Sequence, residues 1–187
     1  MEFSINCKYF PILNRKRYHS INVQGVCDAN GKFIHFTARW PGSTHDAFIL
    51  RNSLPSDTFE SGRRNGIILA DSGYPNRNWL FTPYRNSDAE WQVAYDTKHI
   101  RTRVVIENAF GRLKRRFAIL HSEARLTSHK VAKVVAACII LHNIATDYKI
   151  GEKDTNDIEY EDHEDEQHLP SLDSSQCRDA FARNIFG

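Results

Sequence analysis

The sequence predicts a mixed α/β domain, and three stretches carry that expectation. Tyr18 to Cys27 and Phe33 to Arg39 are rich in β-branched and aromatic residues and flank Asp28-Ala29-Asn30-Gly31. An Asn-Gly pair supplies the positive φ angles of a tight turn, so the two runs read as an antiparallel hairpin. Asp28 is then a turn residue. Ile67-Ile68-Leu69-Ala70 is a short apolar run that opens after Gly66 and ends in Asp71-Ser72-Gly73, the pattern of a buried central strand. From about Thr102 the period turns helical. Ile106, Phe110, Leu113, Phe117 and Leu120 make one apolar stripe.

The remaining elements follow in order. Residues 1–17 show little periodicity, and Asn14-Arg15-Lys16-Arg17 is a basic patch. Trp40-Pro41-Gly42 breaks the second strand, and Ser43 or Thr44 is placed to cap a helix with Asp46 in its first turn. That helix is expected to end before Pro55, with a polar connection over 57–65. Trp79 to Tyr84 reads as another short strand, and 85–103 as a loop or broken helix. His129 to Tyr148 forms a second helix, with Val131, Val134, Val135, Cys138, Leu141, Ala145 and Tyr148 at helical spacing. His142 on it is expected to be a hydrogen-bonded core residue. Residues 174–186 form a short amphipathic helix with Cys177, Ala180, Phe181 and Ile185 on one side.

The 187-residue chain has a net charge of +2, which hides a division. Residues 1–150 hold 22 Lys and Arg against 12 Asp and Glu, and 151–187 hold 3 against 11. The expected organisation is a basic domain over 1–150 and an acidic flexible tail over 151–187, with its short helix at 174–186. A basic body suits a polyanionic partner. No apolar run approaches the ~18 residues of a membrane span, and the first residues have no secretory pattern. Four scattered cysteines suit reduced thiols in a nuclear or cytosolic protein.

Asp71 at a strand end and Glu107 on a basic helix are the acids that stand out. Glu107 lies at the edge of the apolar stripe, with Arg103, Gly111 and Lys114 above and below it and Arg112, Arg115 and Arg116 on the outer face. Cutting a phosphodiester needs an activated oxygen nucleophile and neutralisation of charge on the phosphate. Hard divalent cations held by carboxylates supply both, and surrounding bases hold the nucleic-acid backbone. Each residue has a plainer reading. Asp71 can cap the turn at Gly73, Asp46 can favour a helix terminus, and the bases can form a solvated face. Asp71-Ser72-Gly73 also brings a serine-protease nucleophile to mind, but that motif continues with Gly and needs a β-rich fold. The nine histidines show no paired zinc-ligand spacing.

Several linked motifs resemble one family. Tyr18-His19-Ser20-Ile21-Asn22-Val23-Gln24, Val26-Cys27-Asp28-Ala29 and Trp40-Pro41-Gly42-Ser43-Thr44-His45-Asp46 come first. Ala70-Asp71-Ser72-Gly73-Tyr74-Pro75, Val105-Ile106-Glu107-Asn108-Ala109-Phe110-Gly111 and Leu141-His142-Asn143-Ile144 follow in order. Over about residues 14–147 the chain is similar to the DDE endonuclease domain of PIF/Harbinger transposases and their domesticated derivatives. The resemblance implies a ribonuclease-H-like core, a mixed sheet flanked by helices, that cuts DNA with Mg2+ or Mn2+. Asp71 and Glu107 would be the second and third catalytic acids and metal ligands, and Asp46 a further metal ligand. Arg103, Lys114 and Arg115 would contact nucleic acid. It also implies a nuclear setting, with the cytoplasm as an alternative, and a Myb/SANT-like DNA-binding partner, and it leaves a homo-oligomer open. The alternative it allows is an inactive domain that binds DNA or such a partner. In the family the first acid lies on a strand well before the Asn-Arg-Lys stretch. Here Glu2 is the only acid before Asp28, in surroundings that do not match, so that strand and the helix-turn-helix-like region before it are expected to be missing.

Overall fold

A computed structural model describes residues 2–6, 20–121, 126–150 and 174–187. Within them the chain is a mixed α/β structure with two small sheets. β1 (Glu2–Asn6), β2 (Ser20–Cys27) and β3 (Phe33–Pro41) form an antiparallel sheet with β2 in the middle. β4 (Ile68–Leu69) and β5 (Leu80–Phe81) form a separate parallel pair. The first strand was not legible in the sequence, because Phe3-Ser4-Ile5 alternates too briefly to register as a period. Residues 7–19, with the basic patch, and 151–173, the acidic part of the tail, lie outside the described residues.

The hairpin is as expected. Asp28 Oδ1 accepts from the N–H groups of Asn30 and Lys32, and Gly31 takes φ 77°. Two helices follow it, α1 (Asp46–Arg51) and α2 (Leu54–Glu60). Neither Ser43 nor Thr44 caps α1; the cap position is His45, without a side-chain bond. The expected polar connection is partly helical because Pro55 sits in the first turn of α2, where a missing N–H costs nothing.

The largest departure is α3, a single helix of 27 residues from Glu90 to Arg116. The sequence reading began it near Thr102. The side chain of Gln92 accepts the N–H groups of Asp88 and Ala89 and satisfies orphan donors at its start. No Gly or Pro interrupts the run from Glu90 to Ala109. Phe117 leaves the helix and Ala118–Leu120 closes as one 3-10 turn.

α4 (Ser128–Asp147) packs with α3 against β2 and β3. Ile21, Val23, Phe33, Phe110, Leu113 and Val135 lie in that core, and the predicted stripe of α3 faces it. The buried side of α4 differs from the expected one. His142 is fully buried while Leu141 and Tyr148 are exposed. Hydrogen bonds on both ring nitrogens let a polar residue take the place the hydrophobic pattern gave to Leu141. α5 (Ser174–Phe186) packs on α3 and buries Ala182. Rings of Phe181 and Phe186 pack on Phe81 and Tyr95, whereas Cys177 and Ile185 of the expected face are exposed. Cys27, Cys138 and Cys177 are free thiols. No helix among the described residues is long and apolar enough to cross a membrane.

Candidate active site

β2 is buried from Ser20 to Gly25, so both its faces are covered. Ile21 and Val23 point into the apolar core, and Asn22 and Gln24 alternate onto the opposite face. Gln24 Nε2 donates to the Tyr74 hydroxyl at 2.7 Å and makes a long contact, 3.5 Å, with the Asp46 carbonyl. Asn22 Nδ2 makes a similar long contact with the Thr44 carbonyl. The loop before α1 and the turn after β4 therefore hang from the same strand face.

Asp71 follows β4 after one residue, Ala70. Its Oδ1 accepts the Gly73 N–H at 3.2 Å, and its carbonyl accepts the Tyr74 N–H at 3.2 Å. The turn-capping role read from the sequence is real, and it uses one carboxylate oxygen. The other, Oδ2, lies 3.9 Å from Nη2 of Arg103 on α3. The same nitrogen donates to Glu107 Oε1 at 3.4 Å, one helical turn further on. These distances bound the separation of the Asp71 and Glu107 oxygens at 7.3 Å or less. Two acids with 35 residues between them meet across one guanidinium. Asp71 and Glu107 keep 27% and 26% of their side-chain surface, enough to be reached from solvent.

Gly73 marks where Asp46 joins them. A Cβ on Gly73 would lie 3.2 Å from Asp71 Oδ1 and 3.9 Å from Asp46 Oδ2. A side chain there would press on the Asp71 carboxylate and touch that of Asp46, and glycine leaves the space beside both open. The predicted acids thus approach in pairs, Asp71 with Glu107 across Arg103 and Asp71 with Asp46 beside Gly73. Among the described residues, however, no group of three or more His, Cys, Asp or Glu is close enough to hold a metal ion.

The bases divide. Arg103 faces the acids. Lys114 is half-buried, and burial pushes its pKa down. Arg115 is exposed. Arg112 and Arg116 do not simply cover an outer face. Arg112 donates to the Asn30 carbonyl at 3.3 Å, and Arg116 to the Ile150 carbonyl at 2.6 Å and to His142.

Leu141-His142-Asn143-Ile144 proves to be a clamp. Asn143 accepts the Phe33 N–H and donates to the Phe33 carbonyl, both at 2.8 Å. A guanidinium can only donate, so His142 Nδ1, 3.3 Å from Arg116 Nη1, is the acceptor. His142 Nε2 therefore carries the proton and donates to the Gly31 carbonyl at 3.1 Å. Burial lowers the pKa of His142, which suits this neutral form.

A family model described as DDE superfamily endonuclease matches residues 6–143. The chain belongs to the DDE superfamily endonucleases. This DDE endonuclease chain is 31% identical over 175 residues to the protein named "Putative nuclease HARBI1" of Bos taurus and to its Homo sapiens counterpart. Each alignment covers 90% of this chain and 50% of the relative. It is 28% identical over 151 residues to "Protein ALP1-like" of Arabidopsis thaliana, covering 72% of this chain and 37% of that protein. The chain spans about half the length, or less, of these relatives. No solved structure matches it.

Sequence reasoning passed over Asn22 and Gln24 as anchors and Arg103 as the bridge. The first two had a signal, since two amides alternate with Ile21 and Val23 in a strand otherwise destined for burial. Arg103 had only its spacing, four residues before Glu107.

Proposed function

We propose that this chain is the nuclease domain of a transposase-derived, nuclear DNA endonuclease in which Asp71, Glu107 and Asp46 hold a divalent cation. The observation that carries this reading is the approach of Asp71 and Glu107 to the same nitrogen, Nη2, of the Arg103 guanidinium. A place where two carboxylates already share one cation is suited to another.

The donor set fits Mg2+ or Mn2+. All three side chains offer hard oxygens, and Mg2+ needs only one or two protein carboxylates because it keeps waters and takes substrate phosphate oxygens. The bound ion would neutralise charge on the scissile phosphate and favour a hydroxide nucleophile. Everything else falls to the chain. Asp71 is fixed by the Gly73 N–H with its second oxygen facing Arg103. Glu107 is fixed on a rigid helix, and Gly73 keeps the space between Asp71 and Asp46 clear. Arg103 neutralises the carboxylates at rest, and once displaced it is placed to meet a DNA phosphate, with Lys114 and exposed Arg115 further along α3. A Myb/SANT-like protein is a fitting partner for target selection.

The test is nicking of supercoiled DNA by the purified chain. Cleavage should require Mg2+ or Mn2+, stop with EDTA, and fall to background in Glu107→Gln and Asp71→Asn. Nicking that ignores both substitutions contradicts the assignment. A second reading is an inactive domain that binds DNA or its protein partner. It draws on the lack, among the described residues, of a third acid close enough to complete a ligand group. Salt-sensitive DNA binding without metal-dependent nicking would select it.

A further inference from the structure

Tyr95, His99, Arg103 and Glu107 recur every fourth residue on α3, so successive turns of one helix carry them along one side. Arg103 reaches the carboxylates of Asp71 and Glu107. The two turns before it hold backbone instead. The Tyr95 hydroxyl donates to the Thr82 carbonyl at 3.3 Å, and His99 Nε2 lies 3.1 Å from the Phe81 carbonyl. Both side chains are buried. A carbonyl can only accept, so Nε2 carries the His99 proton and Nδ1 is left as a lone pair. Burial lowers the pKa of His99, in keeping with a neutral ring. Nδ1 itself is buried with no hydrogen-bond partner among the described residues. An apolar side chain would avoid that cost, so packing alone does not account for an imidazole here.

The Phe81 carbonyl has a second partner. It accepts the Ala70 N–H at 2.9 Å, so its two lone pairs serve one strand and one helix. Ala70 is the residue before Asp71. Glu107 lies eight residues beyond His99 on the same helix, about 12 Å along its axis. The contacts close a ring that runs from Asp71 through Ala70, the Phe81 carbonyl, His99 and α3 to Arg103, and back to Asp71. β4 and β5 are each two residues long, too short a pair to hold a fixed position unaided. The ring therefore has two closures. One is buried, at His99, and the other is the partly exposed 3.9 Å contact of Arg103 with Asp71.

We propose that His99 is a positioning residue for the candidate cation site, fixing Asp71 at its strand end relative to Glu107 on α3 through the shared Phe81 carbonyl. The inference rests on the reading of Asp71 and Glu107 as cation ligands. A cation or a DNA phosphate that draws Arg103 away opens the exposed closure of the ring. The buried closure then sets how far apart the two carboxylates stand. Tyr95 has no such role, because the Thr82 carbonyl that it bonds also accepts from Arg178 of α5 at 3.1 Å and lies one residue further from the contact with Ala70.

The test compares His99→Gln, His99→Asn and Tyr95→Phe in the full 187-residue chain. A Gln amide reaches the place of Nε2 and can donate to the Phe81 carbonyl, whereas an Asn amide is equally polar but one methylene short. Two quantities are read: hydrogen exchange at the Ala70 amide without metal, and Mn2+ affinity by calorimetry. His99→Asn should speed the exchange and weaken the affinity, each about tenfold or more. His99→Gln and Tyr95→Phe should keep both within about threefold of the unsubstituted chain. Equal losses in His99→Gln and His99→Asn, or no loss in His99→Asn, would overturn the proposal. So would a loss in Tyr95→Phe that matches His99→Asn, which would mark a general loosening. Failure of His99→Asn to unfold cooperatively in urea would make His99 a core residue and overturn it too. An unsubstituted chain that binds no Mn2+ contradicts the cation-site reading, and exchange at Ala70 alone then supports or overturns the placing of Asp71 by His99.

Discussion

The hairpin end of the domain and the acid end are held in opposite ways. At the hairpin end, Asn143 grips both backbone groups of Phe33, and His142 grips Gly31 while Arg116 grips His142. These contacts run from 2.8 to 3.3 Å around a fully buried His142. At the acid end the start of α1 with Asp46 hangs on contacts of 3.5 Å, and the carboxylates of Asp71 and Glu107 meet through one partly exposed guanidinium. Motifs that look equivalent along the chain thus do different work. Leu141-His142-Asn143-Ile144 builds a scaffold, and the segments around Asp46, Asp71 and Glu107 are left with charge to spend on a ligand.

That contrast predicts a graded set of outcomes. Asn143→Leu leaves the Phe33 N–H and carbonyl unmet and should cost roughly 2–4 kcal/mol in urea unfolding. Whatever fraction stays folded should keep the nicking activity proposed above. A change below about 0.5 kcal/mol would remove the clamp from the account. Gln24→Met should do the reverse. It releases the Tyr74 hydroxyl and the turn after Asp71 while preserving bulk, so nicking should fall about tenfold, the scale of lost support behind a ligand, with a smaller change in stability. Equal loss in both readouts would mean that the two ends are one unit.

The smallest effect expected is that of pH. Burial lowers the pKa of His142, His99 and His35. The unfolded chain therefore binds protons at these sites more readily than the folded one. Stability should be complete above the unfolded histidine value of about 6.5 and should decline as pH falls below it. Thermal unfolding followed from pH 7.5 to 5.5 measures this. His142→Gln should flatten part of the slope, and a midpoint independent of pH would contradict the buried neutral imidazole.

How much of this was legible in the sequence follows from the range of the forces involved. The hairpin, its Asp28 turn and the stripe of α3 rest on local pattern, and the sequence displays them directly. The start of α3 was hidden because Trp91, Tyr95 and His99 do not form a clean apolar repeat; His99 is buried with its Nε2 on the Phe81 carbonyl. β4 reads as a fully buried central strand, yet it is two residues long and only partly buried, and among the described residues it pairs with β5 alone. Asp71, Glu107 and Asp46 could be named as acids of interest. Their convergence could not be read from spacing, because it depends on how β2, β4 and α3 pack.

The central claim is that Asp71 and Glu107 form one cation site, which Arg103 fills at rest. Mn2+ titration by calorimetry on the intact chain tests it most directly. The account predicts measurable binding that Asp71→Asn and Glu107→Gln each abolish, and that Arg103→Gln tightens several-fold by removing a competing positive charge. Binding that survives both acid substitutions, or that weakens when Arg103 is neutralised, would contradict it.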